Sequence, residues 1–289
     1  MITRFAPSPT GPLHLGHAFS ALTAWERARA CGGSALLRIE DIDTQRCRPE
    51  HEAAIFADLR WLGLDWPHPV MRQSTRRAAY DAALGRLLAM GLVYPCRCRR
   101  GDIRAALSAP QEGAPTNGPD GPVYPGTCRH RSPAEAGPED ALRLNLGRAL
   151  SFVDRLEFTD NGPEHGGTHR IDADTLVRSV GDIVLARRDI ATSYHLAVVV
   201  DDAAQGVTEV VRGADLFAAT PLHALLQRLL GLPQPAWHHH RLIRDTTGKR
   251  LAKRDNARAL AALRAEGTSV ADLRKMLGIA GPQTLAPPG

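Results

Sequence analysis

The chain has 289 residues, 43% of them hydrophobic and 23% charged, with a formal net charge of +5 and a pI near 9.2. That length holds one large domain or two small ones with a real core, and the composition is that of an ordinary globular protein. With no apolar run near the roughly 18–20 residues of a membrane span and no signal-peptide pattern, a cytoplasmic protein without membrane contact is expected, its five cysteines serving as thiols or metal ligands.

Ile2–Phe5 reads as a strand that feeds a rigid Pro/Gly loop, and a helix is expected over His17–Ala30, with Ala18, Leu22 and Trp25 on one face. A strand, a Gly-containing turn and a helix N-terminus make an anion site, because free N–H groups and the positive helix end face the ligand. There Gly16 admits a flat ligand to the backbone, while His14 and His17 can donate to phosphate oxygens without fixed charge. Ala35–Ile39 follows the Gly32-Gly33 turn as an apolar strand, and Glu50–Leu62 and Ser74–Met90 read as helices, the second stopped by Gly91. A right-handed crossover between the first two strands places their ends on one crevice. Arg38-Ile39-Glu40-Asp41-Ile42-Asp43 closes the second strand, and its three acids are also a candidate cation site. Arg4 ends the neighbouring strand with a fork suited to a carboxylate.

From Tyr94 to Arg170 the texture changes. Ser108–Gly126 is dense in Pro and Gly and reads as a mobile loop, while Leu142–Leu146 and Ser151–Phe158 read as short strands of an insertion. Cys96-x-Cys98 and Tyr124-x3-Cys128 flank that loop. Three thiolates suit Zn2+, and an insertion with few apolar residues needs such a staple. For the fourth ligand, donor chemistry alone prefers the imidazole of His130 to a phenol. The α/β pattern resumes as Asp182–Arg187, His195–Val200 and Val207–Arg212, which ends on Arg212. A helix over Thr220–Leu230 is expected next, with Thr220 as N-cap and Pro221 at the first helical position. His238-His239-His240 reads as strand residues that pack or touch a nucleotide. From His238 to Lys275 ten Lys/Arg face four Asp/Glu, so this segment carries +6 and points to a polyanionic partner.

The run Arg4-Phe5-Ala6-Pro7-Ser8-Pro9-Thr10-Gly11-Pro12-Leu13-His14-Leu15-Gly16-His17 closely resembles the HIGH motif of class I aminoacyl-tRNA synthetases, in the form used by glutamyl enzymes. Asp245-Thr246-Thr247-Gly248-Lys249-Arg250-Leu251-Ala252-Lys253-Arg254 resembles their KMSKS loop. It departs from the pattern with Arg250 at the first Lys and Ala252 at the Ser, and it retains the second Lys as Lys253. The resemblance covers about residues 1–260. It implies an α/β fold with a Rossmann-like parallel sheet in residues 1–93 and 171–237, a zinc-bearing insertion in 94–170, and the KMSKS-like loop with a short, mainly helical, basic region in 238–289.

Within that class, a chain ending soon after the KMSKS-like loop and carrying Cys-x-Cys…Tyr-x3-Cys looks like the glutamyl-queuosine tRNA(Asp) synthetases. That family activates L-glutamate with ATP and esterifies the queuosine base of the anticodon loop. The resemblance implies that His14, His17 and Lys253 are catalytic, and that His14, Gly16, His17 and Lys253 bind ATP, with Mg2+ accompanying the nucleotide. Arg4, Phe5, Ala6, Pro7, Ser8, Glu40, Tyr194 and Arg212 would bind glutamate, with Glu40 taking its ammonium. Cys96, Cys98, Tyr124 and Cys128 would hold one structural zinc; the resemblance thus prefers Tyr124 to His130. A monomer acting on queuosine-containing tRNA(Asp) is expected. A truncated glutamyl-tRNA synthetase charging a 3′ end and a non-enzymatic RNA-binding module of the same fold are the rival readings.

Overall fold

The computed structural model describes residues 1–107, 117–187, 192–243 and 258–279. The chain opens as β1 (Ile2–Phe5), α1 (Leu15–Ala30), β2 (Ser34–Ile39), α2 (Pro49–Trp61), β3 (Met71–Arg72) and α3 (Arg77–Ala89). β1 and β2 pair in parallel, Ile2 opposite Ser34 and Phe5 opposite Leu37, and β3 joins the far side of β2. Toward its C-terminal end β2 is buried on both faces, as a parallel strand covered by helices must be. α1 lays Ala18, Ala21, Ala24 and Ala28 with Leu22 and Trp25 into the core. These small side chains let the helix sit close to the strands.

The middle of the chain forms β4 (Val93–Cys96), α4 (Arg100–Leu107), the hairpin β5 (Asn117–Gly118) and β6 (Gly121–Pro122), β7 (Ala141–Leu144), α5 (Leu146–Leu150), β8 (Glu157–Asp160), β9 (Gly167–Arg170), α6 (Ala173–Ser179) and β10 (Val184–Ala186). The remainder is α7 (Tyr194–Ala204), β11 (Glu209–Gly213), α8 (Thr220–Leu229), β12 (Ala236–His240), α9 (Leu260–Ala265) and α10 (Val270–Met276). β11, β12 and β8 run parallel, with β9 antiparallel at the edge. β1 lies beside β11, where Thr208 N–H donates to Ile2 O at 2.9 Å. The lateral succession is therefore β3-β2-β1-β11-β12-β8, and the order reverses between β1 and β11. A doubly wound sheet opens its ligand crevice at that place.

Several elements differ from the sequence expectation. α1 begins at Leu15 with His14 as its cap, two residues before His17. His195–Val200 is helical, part of α7, although its β-branched run reads as a strand. Leu196 to Val199 are all buried, so no polar face marks a helical period. β10 pairs antiparallel with β7, which itself pairs with β4, so β10 belongs to a separate three-stranded sheet rather than to the parallel one. Residues 151–156 precede β8 as a turn, and β8 and β9 belong to the main sheet although they fall inside the expected 94–170 insertion. The expected boundary at residue 238 falls within β12. Thr220 is the first residue of α8, not its cap, which is Ala219.

Among the described residues two large apolar clusters hold the molecule together, and a small third one gathers Tyr94, Cys96, Tyr124 and Cys128. One of the large clusters joins α1, β1, β2 and α2 to Leu260, Leu263, Leu273 and Leu277 of the C-terminal helices. The other joins α3, β4, β7, α5, α7, α8 and β12, so the antiparallel sheet shares a core with the helices behind the crevice. No described helix is long and apolar enough to cross a membrane.

Candidate active site

A cavity of about 400 Å³ opens at the C-terminal ends of β1, β2 and β11. Arg4, Phe5, Ala6, Pro7, Ser8, His14, Gly16, His17, Glu40, Tyr194 and Arg212 all line it, residues spread over more than 200 positions of sequence. Lys253 and the rest of the KMSKS-like run lie outside the described residues.

The start of α1 forms one wall. His14 caps the helix, its Nδ1 accepting the Gly16 N–H at 3.1 Å, and the His14 N–H in turn donates to His17 Nδ1 at 3.2 Å. The two rings lie 3.8 Å apart and tilted by 32°. Because both Nδ1 atoms accept, each neutral imidazole carries its proton on Nε2, the donor a phosphate oxygen requires. A Cβ on Gly16 would sit 3.1 Å from the His14 ring, so glycine here first serves the imidazole that caps the helix.

Beneath this wall lies a buried charge network. Asp202 of α7 takes Arg4 Nε at 3.0 Å and Arg38 Nη1 at 2.6 Å, and Arg38 Nη2 reaches Glu40 Oε1 at 3.0 Å. Burial alone would raise the Asp202 carboxyl, but Arg4 and Arg38 outweigh it and hold it below the usual carboxylate range. For Glu40 burial wins over the same arginines and pushes the carboxyl up. Arg4 is thus engaged with Asp202 through its fork and with Val211 O through Nη1.

Arg212 is different. It is 5% exposed, and Nε donates to His239 Nε2 at 3.0 Å, Nη1 to His223 Nδ1 at 3.0 Å and Nη2 to Thr220 Oγ1 at 2.8 Å. Among the described residues no carboxylate forms an ion pair with it. Burial lowers its pKa, while the phenol of Tyr194 acts the other way. A cation so placed in a cavity wall is a ready receptor for an anionic group.

Asp160, Asp202 and His223 are supporting residues that sequence reasoning missed; Arg38, Thr220 and His239, which it placed only in a strand end, a helix cap and a packing strand, join them in holding the site. Asp201-Asp202 closing the apolar run Leu196–Val200 was the available signal, since acids inside an otherwise buried segment need cationic partners. The acids at 40, 41 and 43 do not converge on a cation. Asp41 accepts from Ser74 N and Oγ, and Asp43 pairs with Arg46.

The second cluster lies at the end of β4. The sulfurs of Cys96, Cys98 and Cys128 all fall within 4.8 Å of one another, and Tyr124 Oη lies 3.3 Å from Cys96 Sγ and 3.6 Å from Cys98 Sγ. Tyr124 and Cys128 are buried, whereas His130 is exposed. Burial raises the Cys98 thiol to about 11. It acts likewise on Cys128, but hydrogen bonds from Tyr124, the Arg97 backbone and the neighbouring thiols bring that group down to about 7. Three thiols at this spacing could hold a metal ion, and the Tyr124 oxygen beside them also accepts the Cys128 N–H at 2.8 Å. Arg143 stacks on the Tyr124 ring with Cζ 3.9 Å from its centroid. Buried Asp182 ties this region to its surroundings, accepting from Tyr94 Oη at 2.6 Å and Arg129 Nε at 2.7 Å.

Part of the C-terminal positive charge is used within the chain. Arg264 pairs with buried Asp58 at 3.2 Å, Arg274 pairs with Glu26, and Arg241 stacks over Phe19 at 4.7 Å.

A family model for the catalytic domain of class I tRNA synthetases of the E and Q type matches residues 1–284. The glutamyl-Q tRNA(Asp) synthetase of Rhodobacter capsulatus is 61% identical over 282 residues, covering 96% of this chain and 100% of that protein. The Symbiobacterium thermophilum protein of the same name is 45% identical, with 92% of this chain and 82% of the relative covered. Among solved structures, the glutamate-tRNA synthetase of Elizabethkingia anophelis superposes with a TM-score of 0.70 at 29% identity, over 88% of this chain. The chain spans about half of that synthetase, 53% of its length.

Proposed function

The chain belongs to the class I tRNA synthetase catalytic-domain family of the glutamate and glutamine type, and from that premise we propose that it activates L-glutamate with ATP and transfers it to the queuosine base in the anticodon loop of tRNA(Asp). The name shared by the relatives from Rhodobacter capsulatus and Symbiobacterium thermophilum supports this acceptor. The observation that carries the site assignment is Arg212, buried in the cavity wall with neutral partners only.

In this reading Arg212 takes a carboxylate of the substrate, Tyr194 donates a hydrogen bond beside it, and Glu40 takes the ammonium. Phe5, Ala6, Pro7 and Ser8 shape the wall against which the amino acid lies. Arg4 adds positive potential while its fork stays on Asp202. The reaction needs no nucleophile from the protein. The α-carboxylate oxygen attacks the α-phosphorus of ATP, the bond to the bridging oxygen breaks, and glutamyl-adenylate and pyrophosphate result. His14 and His17 donate from Nε2 to the phosphates and Gly16 offers its backbone, with Lys253 following the charge that moves onto pyrophosphate. A queuosine hydroxyl then attacks the anhydride carbonyl, forming the ester and releasing AMP. Mg2+ accompanies ATP. Cys96, Cys98, Cys128 and Tyr124 would hold a structural zinc outside the reaction path, fixing the insertion.

Two measurements test the proposal. Glutamate-dependent exchange between ATP and pyrophosphate should proceed, and label from glutamate should pass to queuosine-containing tRNA(Asp) but not to the same tRNA bearing guanine. Transfer should survive periodate oxidation of the 3′ ribose when the queuosine diol is protected. Efficient charging of unmodified tRNA(Glu) at its 3′ end would replace this reading with that of a truncated glutamyl-tRNA synthetase.

A further inference from the structure

Arg212 stands at the head of two hydrogen-bonded chains, and its chemistry fixes their direction. A guanidinium can only donate. His223 Nδ1, 3.0 Å from Arg212 Nη1, must therefore accept, which puts the His223 proton on Nε2. That atom lies 2.9 Å from His195 Nδ1, so His195 also accepts on Nδ1 and carries its proton on Nε2. His195 Nε2 in turn meets the Asp120 carboxylate at 2.9 and 3.1 Å. The other chain is shorter: Arg212 Nε donates to His239 Nε2, and His239 Nδ1 donates to Asp160. Each relay ends on a carboxylate. Burial and the neighbouring Arg212 charge both keep His223 neutral, as the relay requires.

The two ends differ in origin. Asp160 closes β8 and is fully enclosed in the parallel sheet, whereas Asp120 sits in the turn between β5 and β6, on the segment that carries Tyr124 and Cys128. Its side chain is 58% exposed. A hairpin of the insertion thus reaches into the catalytic half and terminates the relay behind the Arg212 guanidinium.

We propose that Asp120, His195 and His223 are positioning residues for Arg212, so that the seating of the insertion hairpin sets the affinity for glutamate. Removing the carboxylate leaves the His195 Nε2–H without its acceptor and lets both imidazoles exchange tautomers or rotate. The Arg212 fork then loses its anchor at Nη1 while His239 and Thr220 keep those at Nε and Nη2, so its plane is less closely fixed, and a bidentate contact to a carboxylate depends on that plane. The effect falls on glutamate binding and not on the phosphate chemistry, because His14 and His17 belong to a different wall.

The inference rests on Arg212 being the glutamate clamp, so the experiment includes a variant that tests this separately. In glutamate-dependent exchange between ATP and pyrophosphate, Arg212→Lys should raise the KM for glutamate at least about tenfold. Asp120→Ala should raise it about three- to tenfold, with kcat and the KM for ATP within about twofold. Asp120→Asn, whose amide oxygen still accepts, should restore most of the loss. In the Arg212→Lys background Asp120→Ala should add nothing, because both act through the same contact. A glutamate KM within twofold of wild type for Asp120→Ala, beside a strong Arg212→Lys effect, overturns the positioning role and leaves the clamp standing. An unchanged glutamate KM in Arg212→Lys overturns the clamp and the positioning role together.

Discussion

Burial works on the side chains around the cavity in opposite directions according to their charge, and pH reads this out. His239, enclosed between Arg212 and Asp160, is pushed down from the ordinary 6.5 to about 4, by burial first and by Arg212 second. A folded-state value below the unfolded one means that the unfolded chain takes up this proton first. The stabilisation is thus complete above about 6.5 and is lost progressively as pH falls toward 4. The melting temperature should fall between pH 7 and pH 5, and His239→Gln should show a visibly smaller fall over the same interval. Equal slopes in the two melts would remove His239 as the cause. At the same scale, Lys253→Ala should reduce adenylate formation by about 100-fold or more, the effect of removing one preorganised donor from a developing phosphate charge. Single-turnover assays on the folded variant check this, and a loss under threefold would shift the role to Arg250.

Elements whose signals are local could be read from sequence. β1, α1 and β2 declare themselves through a short apolar run, a Gly turn and a spaced apolar face, and the residues of the cavity wall come largely from their ends. α7 could not be read this way, because Leu196 to Val199 are buried on every side and leave no polar stripe to set a period. β8 and β10 were misplaced because membership of a sheet is a long-range property: β8 meets β12 far along the chain, while β10 turns back onto β7. The supporting histidines escaped for the same reason, since nothing near His223 or His239 in sequence announces Arg212. The cysteine cluster was legible from spacing, and it yields an element-scale prediction. Cys98→Ser should lose bound zinc on metal analysis and raise amide exchange over residues 94–107 and 117–130, while the β1–β2 region stays protected. The apolar cluster around the thiols is small, whereas that around β1 and β2 is large. Freshly purified wild-type protein without zinc would count against the site.

At the scale of the whole molecule, α9 and α10 are bound to the body and do not hang beside it. Leu260 and Leu273 complete the apolar cluster of α1 and α2, and Arg264 covers the buried carboxylate of Asp58. Burial pushes the Asp58 carboxyl up and Arg264 opposes this. Arg264→Ala should therefore cost about 1–2 kcal/mol at neutral pH, discounted for the partial exposure of the arginine. The loss should shrink in acid, where Asp58 takes up a proton, and denaturant melts at pH 7 and pH 4 test the contrast. The pairing of β1 with the start of β11 has another consequence, for the newly made chain. Ile2 and Thr208 are separated by 206 positions. At a synthesis rate of about 5–20 residues per second, the N-terminal strand leaves the ribosome about 10–40 s before its neighbour exists. During that interval one edge of β1 is an open template, with Arg4 still lacking Asp202, and an exposed strand edge invites pairing with other chains. The nascent protein would thus spend tens of seconds as a client for chaperones, and its yield should depend on elongation speed more steeply than its equilibrium stability implies.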